Sequence, residues 1–260
     1  MVKAKRIEEL EQYIIEKQSA SLDHLCDVFN ISKVTLRRDL DELVKRGNIK
    51  KVYGGVMAVD SLDAKIRGIA TYDGRSVEHP EDKRQVAQLA TNLIHDNDVV
   101  YIDSGTTTKY MPDYMQNKKN VTVITNSVPL LVKLMPMNNI KTIMLPGVVQ
   151  SGSESTVGSD CIQYLKKWHV QKAFMACSAI NEEGVFTSVP EENDIRETAL
   201  KQSMRHILLV DNSKVGETSL MIYSQLNDYH IVVTNEAPDE KYQRLFAERN
   251  IINVNSETEL

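Results

Sequence analysis

Ser21-Leu-Asp-His-Leu-Cys-Asp-Val-Phe29, Asn30-Ile31, Ser32-Lys-Val-Thr-Leu-Arg-Arg-Asp-Leu-Asp-Glu-Leu-Val44 and Asn48-Ile-Lys-Lys-Val-Tyr-Gly-Gly55 form the stretch that decides the fold. Ser21 can cap a helix whose apolar positions Leu22, Leu25, Cys26 and Phe29 recur at helical spacing. Asn30 tolerates the left-handed conformation that stops a helix. Ser32 is a second N-cap, and the helix it opens is expected to bury Leu36, Leu40, Leu43 and Val44 on one stripe. At about 100° per residue the opposite face carries Val34, Arg38, Asp41 and Lys45, with Thr35 and Arg37 on its flanks. Upstream, residues 2–17 predict another amphipathic helix with Ile7, Leu10 and Ile14 inward. Downstream, Lys50 and Lys51 lead into Val52 and Tyr53, and Gly54-Gly55 permits a sharp reversal.

Three helices followed by a basic hairpin are what a winged helix-turn-helix needs. The outward side chains of the second capped helix suit DNA. Arginine pairs bidentately with guanine, Thr and Val methyls touch the thymine methyl, and N–H groups at a helix start hold phosphate. The candidate DNA contacts are Ser32, Lys33, Val34, Thr35, Arg37, Arg38 and Lys45 on the helix. Lys50, Lys51, Tyr53 and Gly54 join them on the wing. The alternative, a helical hairpin with solvated charges, explains neither the cap spacing nor the local charge.

Residues 31–53 carry seven Lys/Arg against three Asp/Glu, whereas the whole chain has 31 against 36 and a net charge of −5. A basic patch on an acidic chain argues against general polyanion binding and confines double-stranded DNA to the patch. So small a module binds weakly and with steep salt dependence, so a homo-oligomer, dimer or tetramer, on paired half-sites is expected.

A length of 260 residues predicts two domains. The expected division is 1–57 as the DNA-binding domain, 58–75 as a linker and 76–260 as an effector-sensing α/β domain. No apolar run approaches the ~20 residues of a membrane span, and the charged N-terminal helix lacks the apolar centre of a secretory leader. A cytoplasmic protein without membrane association is expected. Cys26, Cys161 and Cys177 are odd in number and widely spaced, which fits a reducing compartment. Neither they nor the histidines show metal-ligand spacing, so no metal and no cofactor are expected.

Residues 57–66 read equally as strand or helix. Beyond them a helix is predicted from about Pro80 to Leu93, with Val86, Ala87, Ala90, Leu93 and Ile94 inward. Apolar strands follow at 99–102, 121–124, 140–145, 173–176, 207–210, 231–233 and 251–254. Helical stretches separate most of them, near 107–116, 128–134, 159–167, 191–204 and 239–248. The pattern predicts a doubly wound, mostly parallel sheet covered on both faces. In such sheets ligands bind beyond the carboxyl ends of the strands. Three polar segments stand there: Asp103-Ser-Gly-Thr-Thr-Thr108, Thr125-Asn126-Ser127 and Asp211-Asn212-Ser213-Lys214. Glycine permits close backbone approach, hydroxyls and helix-start N–H groups suit phosphate oxygens, Asp103 can accept from sugar hydroxyls, and Lys214 offers a cation. Each segment also reads as a plain helix cap. Together they point to a small phosphorylated ligand, while the absence of Gly-x-Gly-x-x-Gly or Walker spacing argues against dinucleotides and nucleoside triphosphates.

These residues resemble the DeoR family of bacterial sugar-operon regulators over nearly the whole chain. The matching segments are Ile31-Ser-x-x-Thr-Leu-Arg-Arg-Asp-Leu40, Gly54-Gly55, Arg75 with Lys83-x-x-Val-Ala87, and the three polar segments above. The resemblance implies a repressor whose C-terminal domain is similar to phosphopentose isomerases and whose operator affinity changes when a phosphorylated sugar or polyol binds. On that resemblance the effector-binding residues are Lys83, Asp103, Ser104, Gly105, Thr106, Thr107, Thr125, Asn126, Ser127 and Lys214. The Gly105–Thr107 loop would hold phosphate or a sugar oxygen, and Asp103, Asn126 and Lys214 would meet the remainder. Three positions depart from the family pattern: Tyr53 in place of a usual His, Pro146-Gly147 in place of Gly-Gly, and Asn235 in place of a frequent Asp. Residues 150–158 read as a flexible lid or a plain surface loop.

Two rival readings remain. One is a sugar-phosphate isomerase using Glu191 or Glu192 as its base, which leaves the DNA-reading head without a purpose. The other is a regulator answering to a protein partner, with a vestigial pocket. The expectation carried forward is a regulator without enzymatic activity.

Overall fold

The computed structural model describes residues 3–17, 19–52, 55–58 and 72–258. The chain divides into two compact units, Met1–Ala70 and Thr71–Leu260.

The first unit runs α1 (Lys3–Lys17), β1 (Ser19–Ser21), α2 (Leu22–Phe29), α3 (Lys33–Arg46), β2 (Ile49–Val52) and β3 (Gly55–Ala58). Ile7, Leu10 and Ile14 of α1 meet Leu25 of α2 and Leu36, Leu40 and Leu43 of α3 in one core. Two of the predicted signals are present: Asn30 has φ 49°, and the Ser32 hydroxyl accepts from the Thr35 N–H. Gly47, not singled out from the sequence, closes α3 at φ 88°. Val44 departs from expectation: it is 36 % exposed, and Asp39 lies on the inward face instead, 1 % exposed. Arg6 makes that burial tolerable, with Nε 2.8 Å from Oδ2 and Nη2 3.3 Å from Oδ1 of Asp39. Strand β1 was not anticipated; it pairs antiparallel with β3, in the order β1-β3-β2. Strands β2 and β3 form the expected hairpin, with Val52 opposite Gly55. Its tip, with Tyr53 and Gly54, lies outside the described residues. So do residues 59–71, most of the expected linker and of the segment left open between strand and helix. Tyr72–Val77, across the end of that linker, is helical (α4).

The second unit continues with α5 (Pro80–Asn92), β4 (Val99–Ile102), a 3-10 helix (Thr108–Tyr114), β5 (Val121–Thr125), α6 (Val128–Leu134), β6 (Ile140–Met144), β7 (Val148–Gln150) and β8 (Ser155–Val157). There follow α7 (Ser159–Leu165), β9 (Val170–Ala176), β10 (Ala179–Asn181), β11 (Gly184–Thr187), α8 (Asn193–Gln202), β12 (Ser203–Leu209), β13 (Met221–Ser224), β14 (Ile231–Val233), α9 (Glu240–Glu248) and β15 (Ile252–Val254). Seven strands form one parallel sheet in the order β15-β14-β12-β9-β4-β5-β6. Side chains alternate across it, as a strand period of two requires. Val100, Ile102, Phe174, Ile207 and Leu209 pack toward α5, α6 and the 3-10 helix. Tyr101, Ala173, Met175 and Leu208 pack toward α7, α8 and α9. The sheet is therefore doubly wound, as its apolar strands predict.

The helix expected at 107–116 is a tighter 3-10 helix with Pro112 inside it, where the missing N–H weakens an α-helical ladder. Strands β10, β11 and β13 form a small antiparallel sheet the sequence did not announce. Residues 148–157 form a hairpin rather than an open loop, and Ser153, Ser155 and Thr156 are buried.

Candidate functional site

In the first unit, Ser32 caps α3 and the core stripe Leu36–Leu40–Leu43 fixes its rotation. Arg37, Arg38, Asp41 and Lys45 are exposed as a result, and Val34 is 63 % exposed. Thr35 is half-buried, its hydroxyl 3.0 Å from that of Ser32. Arg6–Asp39 ties α3 to α1 at its middle, and Glu11 receives Arg46 and Asn48 at its end, at 2.9 and 3.0 Å. Sequence reasoning gave Asp39 no role, although an acid on the inward stripe of a basic helix was the available signal. Lys50 and Lys51 lie on β2; Tyr53 and Gly54 are beyond description.

In the second unit the strand order changes direction at β4: β5 and β6 add on one side, and β9, β12, β14 and β15 on the other. The crevice at such a switch point is where open α/β sheets place ligands, and the 103–108 loop leaves β4 there. The structure assigns its residues different tasks. Asp103 is fully buried, and its Oδ2 accepts from Arg196 Nε at 2.9 Å and the Ala176 N–H at 3.1 Å. Thr108 bonds back into the loop, donating to the Asp103 carbonyl at 2.7 Å and accepting from the Gly105 N–H at 2.9 Å. The hydroxyls of Thr106 and Thr107 have no such partner among the described residues. Gly105 has a packing reason: a Cβ there would come within 2.4 Å of Ala176 Cβ.

At the end of β5, Thr125 donates to the Ile102 carbonyl at 2.7 Å, and Ser127 caps α6. Asn126 is fully buried, accepting from the Tyr101 hydroxyl at 2.9 Å and donating to Ser104 Oγ at 3.3 Å. Behind the loop stands Glu192. Its Oε1 accepts from Ser104 and Ser155, both at 2.6 Å, and its Oε2 from Arg196 Nη2 at 2.6 Å. Arg196 also reaches Thr187 at 2.5 Å and lies over the Tyr223 ring. Burial pushes the Glu192 carboxyl up, against the attraction of Arg196. Arg196 escaped sequence reasoning. The signal was its i, i+4 spacing from Glu192, which puts both on one helix face.

The third segment carries an ion pair of its own. Lys214 Nζ is 2.6 Å from Asp211 Oδ2, and the Ser213 hydroxyl donates to Oδ1. Burial opposes ionisation of Asp211, but Lys214, Ser213 and Lys83 outweigh it and hold its pKa below the usual range. Asn235 steadies the turn by accepting from the Asn212 N–H at 2.8 Å. Lys83 on α5 is 1 % exposed. Burial pushes its ammonium down to about 8, Lys214 and Lys109 push the same way, and Asp211 and Glu78 oppose them. Lys83 and Lys214 thus lie in each other's field at this end of the sheet, with Asp211 as their common counter-charge.

The family model described as the DeoR C-terminal sensor domain matches residues 78–236, and the DeoR-like helix-turn-helix domain matches residues 6–62. The chain belongs to the DeoR family. The HTH-type transcriptional regulator IolR of Bacillus subtilis (strain 168) is 35 % identical over 251 residues, 96 % of this chain and 98 % of that protein. The HTH-type transcriptional repressor GlcR of the same organism is 28 % identical, over 93 % of this chain and 92 % of its own length. A solved ribose 5-phosphate isomerase A from Methanocaldococcus jannaschii aligns with a TM-score of 0.39 at 17 % identity, over 53 % of this chain and 55 % of that one. As a DeoR-family member the chain is a DNA-binding transcriptional regulator. No helix among the described residues is long and apolar enough to cross a membrane.

Proposed function

We propose that this regulator represses a carbohydrate-utilisation operon and is controlled by a phosphorylated sugar or polyol. Residues 1–57 read the operator, residues 58–75 connect, and residues 76–260 sense the effector. The DNA contacts are Ser32, Lys33, Val34, Thr35, Arg37, Arg38 and Lys45 of α3, with Lys50, Lys51, Tyr53 and Gly54 of the wing. The effector meets Lys83, Ser104, Gly105, Thr106, Thr107 and Lys214 directly. Asp103, Thr125, Asn126 and Ser127 shape the loops around it through the bonds described above.

The observation that carries the sensing role is the buried Lys83 beside Lys214 and the counter-charge Asp211, at the sheet edge where the hydroxyls of Thr106 and Thr107 have no partner among the described residues. A phosphate dianion compensates such a cluster, and hydroxyl donors complete its oxygens. The repressor role is supported by GlcR and by the lactose phosphotransferase system repressor of Staphylococcus aureus (strain N315), 28 % identical over 94 % of this chain. Against isomerase chemistry stands Glu192, whose carboxylate is committed to Ser104, Ser155 and Arg196 and so is not poised as a base. The working form is a cytoplasmic homo-oligomer, because one small head binds half a site weakly.

Control follows from linkage. An effector that prefers a conformation whose paired heads miss the half-site spacing lowers operator affinity about fivefold per kcal/mol of coupling. The test is binding to DNA flanking the chain's own gene, at fixed salt, titrated with hexose, pentose and polyol phosphates. Release by one compound at micromolar levels establishes the function and the sign of control. DNA binding that none of them changes would refute the effector class.

A further inference from the structure

The covalent path from the DNA-reading unit enters the sensor unit at α4, the first described element after β3. This helix lies between the two family models, which end at residue 62 and begin at residue 78. A six-residue helix leaves its last carbonyls without intrahelical donors, and lysine side chains are suited to satisfy them. Here Lys83 Nζ donates to the Arg75 carbonyl of α4. The same buried ammonium lies in the field of Lys214, Lys109, Asp211 and Glu78. One cation therefore serves both a helix end and the anion pocket proposed above.

An ammonium has three N–H donors, so an anion can take one without displacing the Arg75 carbonyl. A nearby negative charge also favours the protonated form, and hydrogen bonds from a charged donor are roughly twice as strong as neutral ones. We propose that Lys83, besides its direct contact with the effector, couples anion occupancy of the sensor pocket to the order of α4. An anion seated beside Lys214 holds Lys83 as an ammonium, and that ammonium clamps the Arg75 carbonyl. Where Lys83 would otherwise lose its proton, occupancy thereby stiffens the element through which the chain passes from one unit to the other. The inference rests on the anion-pocket reading above and adds to it the route by which occupancy is felt.

The experiment is hydrogen–deuterium exchange on the full chain, with inorganic phosphate as the probe and calorimetry to confirm its binding. Phosphate is compared with chloride at matched ionic strength, so intrinsic exchange cancels at each pH. With a Lys83 pKa of about 8, most of the amine is charged at pH 7 and about a quarter at pH 8.5. Phosphate is expected to slow exchange across residues 72–79 by up to about fourfold at pH 8.5, and little at pH 7. Lys83→Met should exchange fast with or without phosphate, and Lys83→Arg, charged throughout, should lose the pH dependence. Phosphate binding without slower exchange in the wild-type chain overturns the coupling, as does slowing that survives in Lys83→Met. Failure of phosphate to bind at all overturns the pocket reading itself, and the coupling with it.

Discussion

Replacing Arg196 with methionine tests whether the interior behind the 103–108 loop is held by charge. The side chain is 4 % exposed and sits between two buried carboxylates, Asp103 at 2.9 Å and Glu192 at 2.6 Å. Methionine fills much of the volume but supplies no cation, leaving both acids buried and unpaired. Removing one member of a buried pair costs about 3–5 kcal/mol, which for a unit of this size lowers the melting midpoint by roughly 6–20 °C. The pH dependence identifies the cause. Glu192 already titrates above the usual carboxylate range because it is buried, and Arg196 is what opposes that rise. Without Arg196 its folded-state pKa climbs further above the unfolded value, so the folded state binds more protons. The variant's stability then falls as pH rises through that window, and its deficit should be smaller at pH 5.5 than at pH 8. Urea unfolding of both proteins at the two pH values measures this, and Glu192→Gln in the same background should recover part of the loss. A deficit below about 1 kcal/mol, or one equal at both pH values, would refute the reasoning.

Three further outcomes are expected. Arg38→Ala should weaken operator binding about 5- to 150-fold while leaving the melting midpoint unchanged; titration on operator and on random DNA checks this, and unaltered affinity removes Arg38 from the interface. Thr106→Val should bind DNA normally but weaken the effector about 10- to 150-fold, the range for a hydrogen bond to a charged group; a normal effector response excludes that hydroxyl. Gly105→Ala should destabilise the second unit by about 1–3 kcal/mol through overpacking, because its Cβ meets Ala176 Cβ at 2.4 Å; wild-type stability would show that the loop yields freely.

Much of this was legible in the chain because it is written in local order. Helix caps act within four residues, so Ser32, Asn30 and the run that buries Leu36, Leu40 and Leu43 located the DNA-reading unit from sequence. Apolar strands separated by helices required a parallel sheet covered on both faces, and the strands at 99–102 and 231–233 were placed to the residue. Other features depended on partners far along the chain. Asp39 reads as one more surface acid until Arg6, 33 residues upstream, is packed against it. Asp103 reads as a ligand contact until Arg196, 93 residues away, takes its carboxylate. Gly105 reads as room for a ligand until Ala176 arrives beside it, and Lys83 is an effector contact on the family resemblance alone until the fold shows it buried, with burial and Lys214 lowering its pKa. The sequence by itself determined that this chain reads DNA with one unit and presents a polar strand edge with another, since caps and periodicities are short-range. The tertiary structure alone decided which polar side chains brace that edge and which hydroxyls have no partner among the described residues. Hydrogen-bond satisfaction in a buried site depends on every group that converges there, and that convergence follows from strand order, not from neighbours in sequence.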